Sequence, residues 1–128
     1  MDALTRTAER ATDMTRGYLA AAAWADGHAA TTDTDDAVIV TADMFDAATV
    51  AAALGTCAAF LAVHMTALET GHDDWGQHGH DLWLTRQGHG TGFWDRGYPA
   101  DISRQLTGAA RDLGETSIYI SDGAAVIL

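Results

Sequence analysis

Between Asp2 and about Ala25, apolar side chains recur at sevens and at alternating threes and fours. Leu4, Ala11, Met14, Tyr18, Ala21 and Ala25 therefore share one face of a helix. Gly17 interrupts that helix at a cost of about 1 kcal/mol relative to alanine, tolerable in an alanine-rich segment or useful where another backbone comes close. Gly27 stands where a left-handed terminating residue belongs, and Tyr18, Leu19 and Trp24 read as core. Ala29 to Asp36 is a polar loop, and Val38-Ile39-Val40 is a brief strand or an apolar plug. Thr41 or Asp43 caps a second helix that runs to about Thr70 and ends at Gly71. Val50, Leu54, Cys57, Leu61, Met65 and Leu68 give it an almost unbroken apolar stripe, so it is the central helix.

After a polar surface loop from Gly71 to Gly79, the pattern predicts a strand over Asp81–Arg86, a glycine-rich connection Gln87–Gly92 and a returning strand Phe93–Arg96. Trp83 and Trp94 then share a face or oppose one another, depending on loop length. Pro99 and Asp101 open a third helix with Ile102, Leu106, Ala109, Ala110 and Leu113 on one side, and Gly114 closes it. Thr116–Ser121 alternates strictly and meets Asp122-Gly123, a two-residue hairpin turn that sets Ile120 opposite Ala125 and Ile118 opposite Ile127. The expected architecture is one α+β domain, residues 1–128: a four-stranded, largely antiparallel sheet of two hairpins packed on a long central helix plus two further helices.

Charge changes the picture. Eighteen acids, fifteen of them Asp, face seven arginines and no lysine, for a net charge of −11. Such a chain repels nucleic acid and anionic membrane and favours basic protein partners. The single Cys57 forms no internal disulfide and there is no paired-cysteine zinc spacing, as suits a reducing cytosol. The N-terminus lacks the pattern of a signal peptide, and no stretch reads as a membrane span, since Val50 to Met65 is mostly alanine. These features predict a cytoplasmic protein.

The densest chemistry lies in His80-Asp81-Leu82-Trp83-Leu84-Thr85-Arg86-Gln87-Gly88-His89-Gly90-Thr91-Gly92-Phe93-Trp94-Asp95-Arg96-Gly97, which holds two of the four tryptophans and two arginines. This stretch resembles the GHDFWLTRNGHGAGFWDRG signature of a family of small bacteriophage and mobile-element proteins. Tyr18-Leu19 and Trp24 also match a segment common in that family. The resemblance implies a setting, the host cytoplasm, rather than a reaction.

Each chemical reading has an ordinary alternative. His72, His78, His80, Asp81 and His89 carry metal-donor atoms, but their spacing fits no known ligand set and no histidine follows His89; no metal or other cofactor is expected. The Asp33-Thr34-Asp35-Asp36 run lacks the glycine and glutamate of an EF-hand and reads as a solvated loop. Gly88 to Gly92, with Arg86 and Arg96, could cradle a phosphate through backbone N–H groups, or its glycines could simply shape a hairpin. Thr85 or Thr91 with His89, or Asp81 with Asp95, would supply nucleophile or acid–base pairs only if the fold joined them. His64 is a hydrogen-bonded core histidine, or else a ligand or general base.

Two functions follow. The first is a non-enzymatic phage or mobile-element accessory protein that binds a host or defence protein, such as a nucleic-acid-binding one, with carboxylates imitating phosphates and with Trp83 and Trp94 as interaction anchors. The second is a small-molecule, nucleotide or hydrolytic site built from His80, Arg86, His89, Asp95 and Arg96.

Overall fold

A computed structural model describes residues 2–32 and 38–128; the Asp33–Asp36 run lies outside the described residues. Four helices dominate them: α1 (Ala3–Ala21), α2 (Ala47–Glu69), α3 (Trp75–Arg86) and α4 (Ala100–Asp112). Strands β1 (Thr31–Thr32), β2 (Ile118–Ser121) and β3 (Ala124–Ile127) form a small sheet in the order β1-β2-β3. The expected four-stranded sheet of two hairpins is thus corrected to a mostly helical fold with a three-stranded mixed sheet. Only the second hairpin forms, with Ile120 opposite Ala125 and Ile118 opposite Ile127 as the alternation requires. Asp122 and Gly123 both take positive φ, 52° and 77°, the conformation of the favoured two-residue turn. β1 pairs in parallel with β2, Thr31 beside Tyr119 and Thr32 beside Ile120.

The signature overturns its expected hairpin because its first half is a helix. Asp74, inside the stretch read as a surface loop, caps α3 by accepting from the Gln77 N–H at 3.1 Å. Asp81, Leu82, Trp83, Leu84 and Thr85 are all buried, so α3 is enclosed on every side and shows no amphipathic period to read. Its end is a Schellman motif: Gly88, at φ 72°, donates its N–H to the Thr85 carbonyl, and the His89 N–H reaches the Leu84 carbonyl at 3.0 Å. The second half is a single 3₁₀ turn, Phe93–Asp95.

Glycine explains why α3 forms against its propensity. A Cβ on Gly79 would fall on the carbonyl of Met14, and one on Gly17 would fall on the carbonyl of Gly76. The glycines that weaken both helices in isolation let α1 and α3 cross backbone to backbone, and packing offsets the propensity cost. Gly79→Ala should therefore lower stability by about 1–3 kcal/mol, since backbone rather than a flexible side chain must move. In Gly55→Ala the new Cβ meets nothing within 4 Å, and the variant should gain about 0.5–1 kcal/mol. Urea unfolding of the two variants beside the parent checks the contrast, and shifts of the same sign would refute it.

Helix boundaries differ elsewhere for local reasons. α1 does not stop at a left-handed Gly27; it runs into a π-helical turn, Ala22–Asp26, and a 3₁₀ turn, Gly27–Ala29, with Gly27 in right-handed geometry (φ −60°). Gly27 serves instead as a contact, since a Cβ there would approach Val40 at 2.9 Å. Val40 is thus the apolar plug rather than a strand. α2 begins later than Thr41 or Asp43 would set it, capped by Asp46, which accepts from the Thr49 N–H at 2.8 Å. Thr41 and Asp43 instead belong to a preceding 3₁₀ turn, Ala42–Met44. α4 ends as expected, with Gly114 at φ 80°. The core joins Met14 and Tyr18 of α1, Cys57, Leu61 and Leu68 of α2, and Leu82 and Trp83 of α3.

Candidate functional site

The structure disperses the residues singled out in the signature. Trp83 is fully buried, edge-on to Tyr18 at 5.1 Å between ring centroids, and its indole Nε1–H donates to Asp26 Oδ2 at 2.6 Å. The His89 Nε2 bonds the same carboxylate at 2.9 Å, so the π-helical end of α1 is stapled to the end of α3. Arg86 donates from Nη1 to the Tyr18 hydroxyl at 2.8 Å and from Nε to the Gly114 carbonyl at 2.6 Å. Arg96 forms a two-pronged bond with the wholly buried Asp81, at 2.9 Å from Nε to Oδ2 and 2.7 Å from Nη2 to Oδ1. These bonds hold the Arg96 guanidinium above its ordinary pKa, against the opposing effect of burial. Asp95 is exposed and accepts from the Gly92 N–H of its own turn.

Of His80, Arg86, His89, Asp95 and Arg96, four thus bond separate partners: Arg86 the Tyr18 hydroxyl, His89 Asp26, Arg96 Asp81 and Asp95 the Gly92 N–H. Neither arginine faces a glycine cradle, because each is engaged with the fold. Asp81 and Asp95 are no acid–base pair, one being locked to Arg96 and the other capping a turn. Thr85 Oγ1 accepts from the Phe93 N–H at 3.2 Å, a structural bond. No three His, Cys, Asp or Glu side chains come together as a metal site among the described residues. His80 lies against Trp24 at 5.7 Å. Trp24, read as core, is 72% exposed, and with His89 it lines a shallow cleft of about 420 Å³. Trp94 keeps 36% of its surface exposed.

One buried network escaped the sequence. His78, with no exposed surface, stacks on His72 at 4.0 Å, donates from Nε2 to the His72 carbonyl at 2.9 Å and accepts at Nδ1 from the Tyr98 hydroxyl at 2.9 Å. Gly71 closes this pocket, since a Cβ there would fall on the Tyr98 ring. Burial pushes the His78 pKa down from 6.5 to about 4, and burial likewise raises Tyr98. An unfolded chain protonates His78 near pH 6.5 while the folded one holds it neutral to about pH 4. This stability is complete above pH 6.5 and is lost as pH falls through that window. Relative to a His78→Gln variant, the parent should lose on the order of 2–3 kcal/mol between those limits. Urea unfolding of both proteins across the range is the check, and a constant difference would refute it. His64 is half-buried on α2, 4.6 Å from the Phe60 ring and 2.9 Å from the Gln105 amide, with its pKa lowered by burial: a satisfied histidine at the α2–α4 contact.

The most anomalous surface belongs to α2. From Ala47 to Leu68 no residue carries a formal charge, in a chain of net charge −11. The sequence reading allowed no span of membrane length here, yet α2 has a mean hydropathy of 1.7 over its most apolar 18 residues and is long and apolar enough, by composition, to cross a bilayer; 28% of that window is buried. Its inner face packs through Cys57, Phe60, Leu61 and Leu68. The outer face exposes Ala47, Ala51, Gly55, Ala59 and Val63 at intervals of four, with Leu54 40% and Val63 74% exposed. Beside it a groove of about 570 Å³ runs toward Ala109 of α4 and Leu113, the residue that follows that helix. Acids stand at both ends, Asp43 and Asp46 at one and Glu69, Asp73 and Asp74 at the other. The outer face is thus an uncharged, small-residue ridge about 24 Å long on a helix with acids near both ends. No protein-family model, curated protein or solved structure matches the chain.

Proposed function

We propose that the protein is a non-enzymatic accessory protein that docks an apolar helix of a partner protein along the outer face of α2. The observation that carries this reading is the charge-free, exposed face of a 23-residue helix. Apolar patches of that kind mark interaction surfaces, and small residues four apart let a second helix approach closely. Charge complementarity selects the occupant. Acids near both ends of α2 favour a helix whose apolar face is flanked by basic residues, and a net charge of −11 disfavours a second copy or an anionic bilayer. The resemblance of the signature to phage and mobile-element proteins supports a host or defence protein as the partner, met in the host cytoplasm.

Gly55→Glu tests this directly. The site is open, so the variant should fold with equal or greater stability, yet place a carboxylate in the middle of the ridge. The ligand would be a helical peptide of about the length of α2, with a leucine face and lysine flanks. Calorimetry should show its affinity falling by about tenfold or more, or 1.4 kcal/mol, in Gly55→Glu. Simple attraction between the cationic peptide and an acidic protein predicts the opposite, because the variant is more acidic. Unchanged or tighter binding would refute the proposal. So would a stable dimer by light scattering, or flotation with neutral lipid vesicles.

A further inference from the structure

Two arginines stand apart from the networks above. Arg10 pairs with Glu69, Arg16 with Asp13 and Arg96 with Asp81, and Arg86 holds Tyr18 and two carbonyls. Arg104 and Arg111 form no ion pair among the described residues, although the chain has eighteen acids. Both line one groove of about 570 Å³ on α4, with Trp94, Ser103, Thr107 and Gly108. No carboxylate lines it. The α4 residues fall at i, i+1, i+4, i+5 and i+8, one side of the helix, and the volume is that of a small-molecule site.

Three further features of the groove go unexplained by folding. Thr107 Oγ1 is buried without a hydrogen-bond partner, whereas the hydroxyls of Thr7, Thr12, Thr15 and Thr56 all bond the carbonyl four residues back. A buried hydroxyl left so is costly unless something else satisfies it. Gly108 sits inside α4 where a Cβ would meet nothing within 4 Å, so the helix bears a glycine penalty that no packing contact requires. Trp94, part of the signature, is partly exposed with the Arg111 guanidinium 5.4 Å from its ring. An aromatic platform with a cation lies at one end, and Arg104 with two hydroxyls lies about 10 Å along the helix at the other.

We propose that this groove binds a 5′-mononucleotide. The base stacks on Trp94 beside Arg111, the sugar crosses the open backbone at Gly108, and Arg104 takes the phosphate with the Ser103 hydroxyl, joined by the Thr107 hydroxyl once that side chain turns about χ1 into the groove. The separation of the two ends suits a nucleoside phosphate rather than a bare oxyanion. A polynucleotide is disfavoured because its further phosphates would meet the acidic remainder of the surface. The site is independent of the α2 docking face and shares only Trp94 with the residues singled out in the signature.

The test is calorimetry of the full chain with adenosine monophosphate, adenosine, ribose 5-phosphate, inorganic phosphate and a short thymidine oligonucleotide. Adenosine monophosphate should bind, with adenosine and ribose 5-phosphate each at least about tenfold weaker. Arg104→Gln should bring adenosine monophosphate down to the affinity of adenosine and leave adenosine itself unchanged. Gly108→Leu should fill the groove and abolish binding while raising the melting temperature, which separates a lost site from a lost fold. Failure of adenosine monophosphate to bind overturns the proposal, as does indifference to Arg104→Gln or Gly108→Leu. Inorganic phosphate binding as tightly would show a plain anion site, and a tighter oligonucleotide would show a nucleic-acid surface; either also overturns it.

Discussion

Trp83→Ala is expected to cost about 3–5 kcal/mol, enough to unfold a domain of ordinary stability. The ring has no exposed surface and packs edge-on against Tyr18, so truncation leaves a cavity between α1 and α3. It also removes the indole N–H from Asp26, the carboxylate that His89 shares. Trp83→Phe separates the two effects. It keeps a buried aromatic ring but loses the donor and part of the indole's volume, and should cost less than Trp83→Ala but at least the roughly 1.5–3 kcal/mol of a hydrogen bond to a charged group. Trp94→Ala, in the same signature, should cost less than Trp83→Ala because that ring is partly exposed. Chemical denaturation of the three variants gives the ranking, and equal losses for Trp83→Ala and Trp94→Ala would show that burial does not decide it.

Arg96→Ala should be nearly as damaging, by about 3–5 kcal/mol, because it strands a buried carboxylate. Asp81 has no exposed surface, and its remaining partner is the Gln77 amide at 3.0 Å. The pair itself need not be a net source of stability, since two charges lost hydration to form it. Replacing both members, as Asp81→Leu with Arg96→Met, should recover much of the loss and can match the parent. Denaturation of the single and double variants forms a cycle in which strong coupling is expected. Additive losses would mean that the two side chains act independently.

These two expectations redefine the signature. Gly88, Gly92 and Trp83 are architectural, and so are its main polar side chains. Arg86, His89 and Arg96 tie α3 to Tyr18, Asp26 and Asp81. The stretch folds into a helix, its cap and a returning turn that bond one another, and what it leaves free for binding is chiefly Trp94.

Local chemistry determined the elements whose signals lie within a few residues. The Asp122-Gly123 turn needs positive φ at both positions, and with the strict alternation of Thr116–Ser121 before it this set the register of β2 with β3. The amphipathic face of α4 and its closing Gly114 were equally legible, whereas the apolar stripe of α2 held only for its Cys57, Leu61 and Leu68 part, Val50 and Leu54 being exposed. Tertiary structure decided the rest. α3 could not be read because it is buried all round, and because Gly76 and Gly79, which argue against a helix locally, are what allow its backbone to meet that of α1. β1 has only two residues, too short for any periodicity. The candidate sites were hidden for the same reason: the side-chain partners of Trp83, Arg86 and His89 lie 57 to 68 residues away. No spacing within the signature could show that its charges were already spent on the fold, or that two arginines on α4 without an ion pair among the described residues and a bare face on α2 were left facing outward.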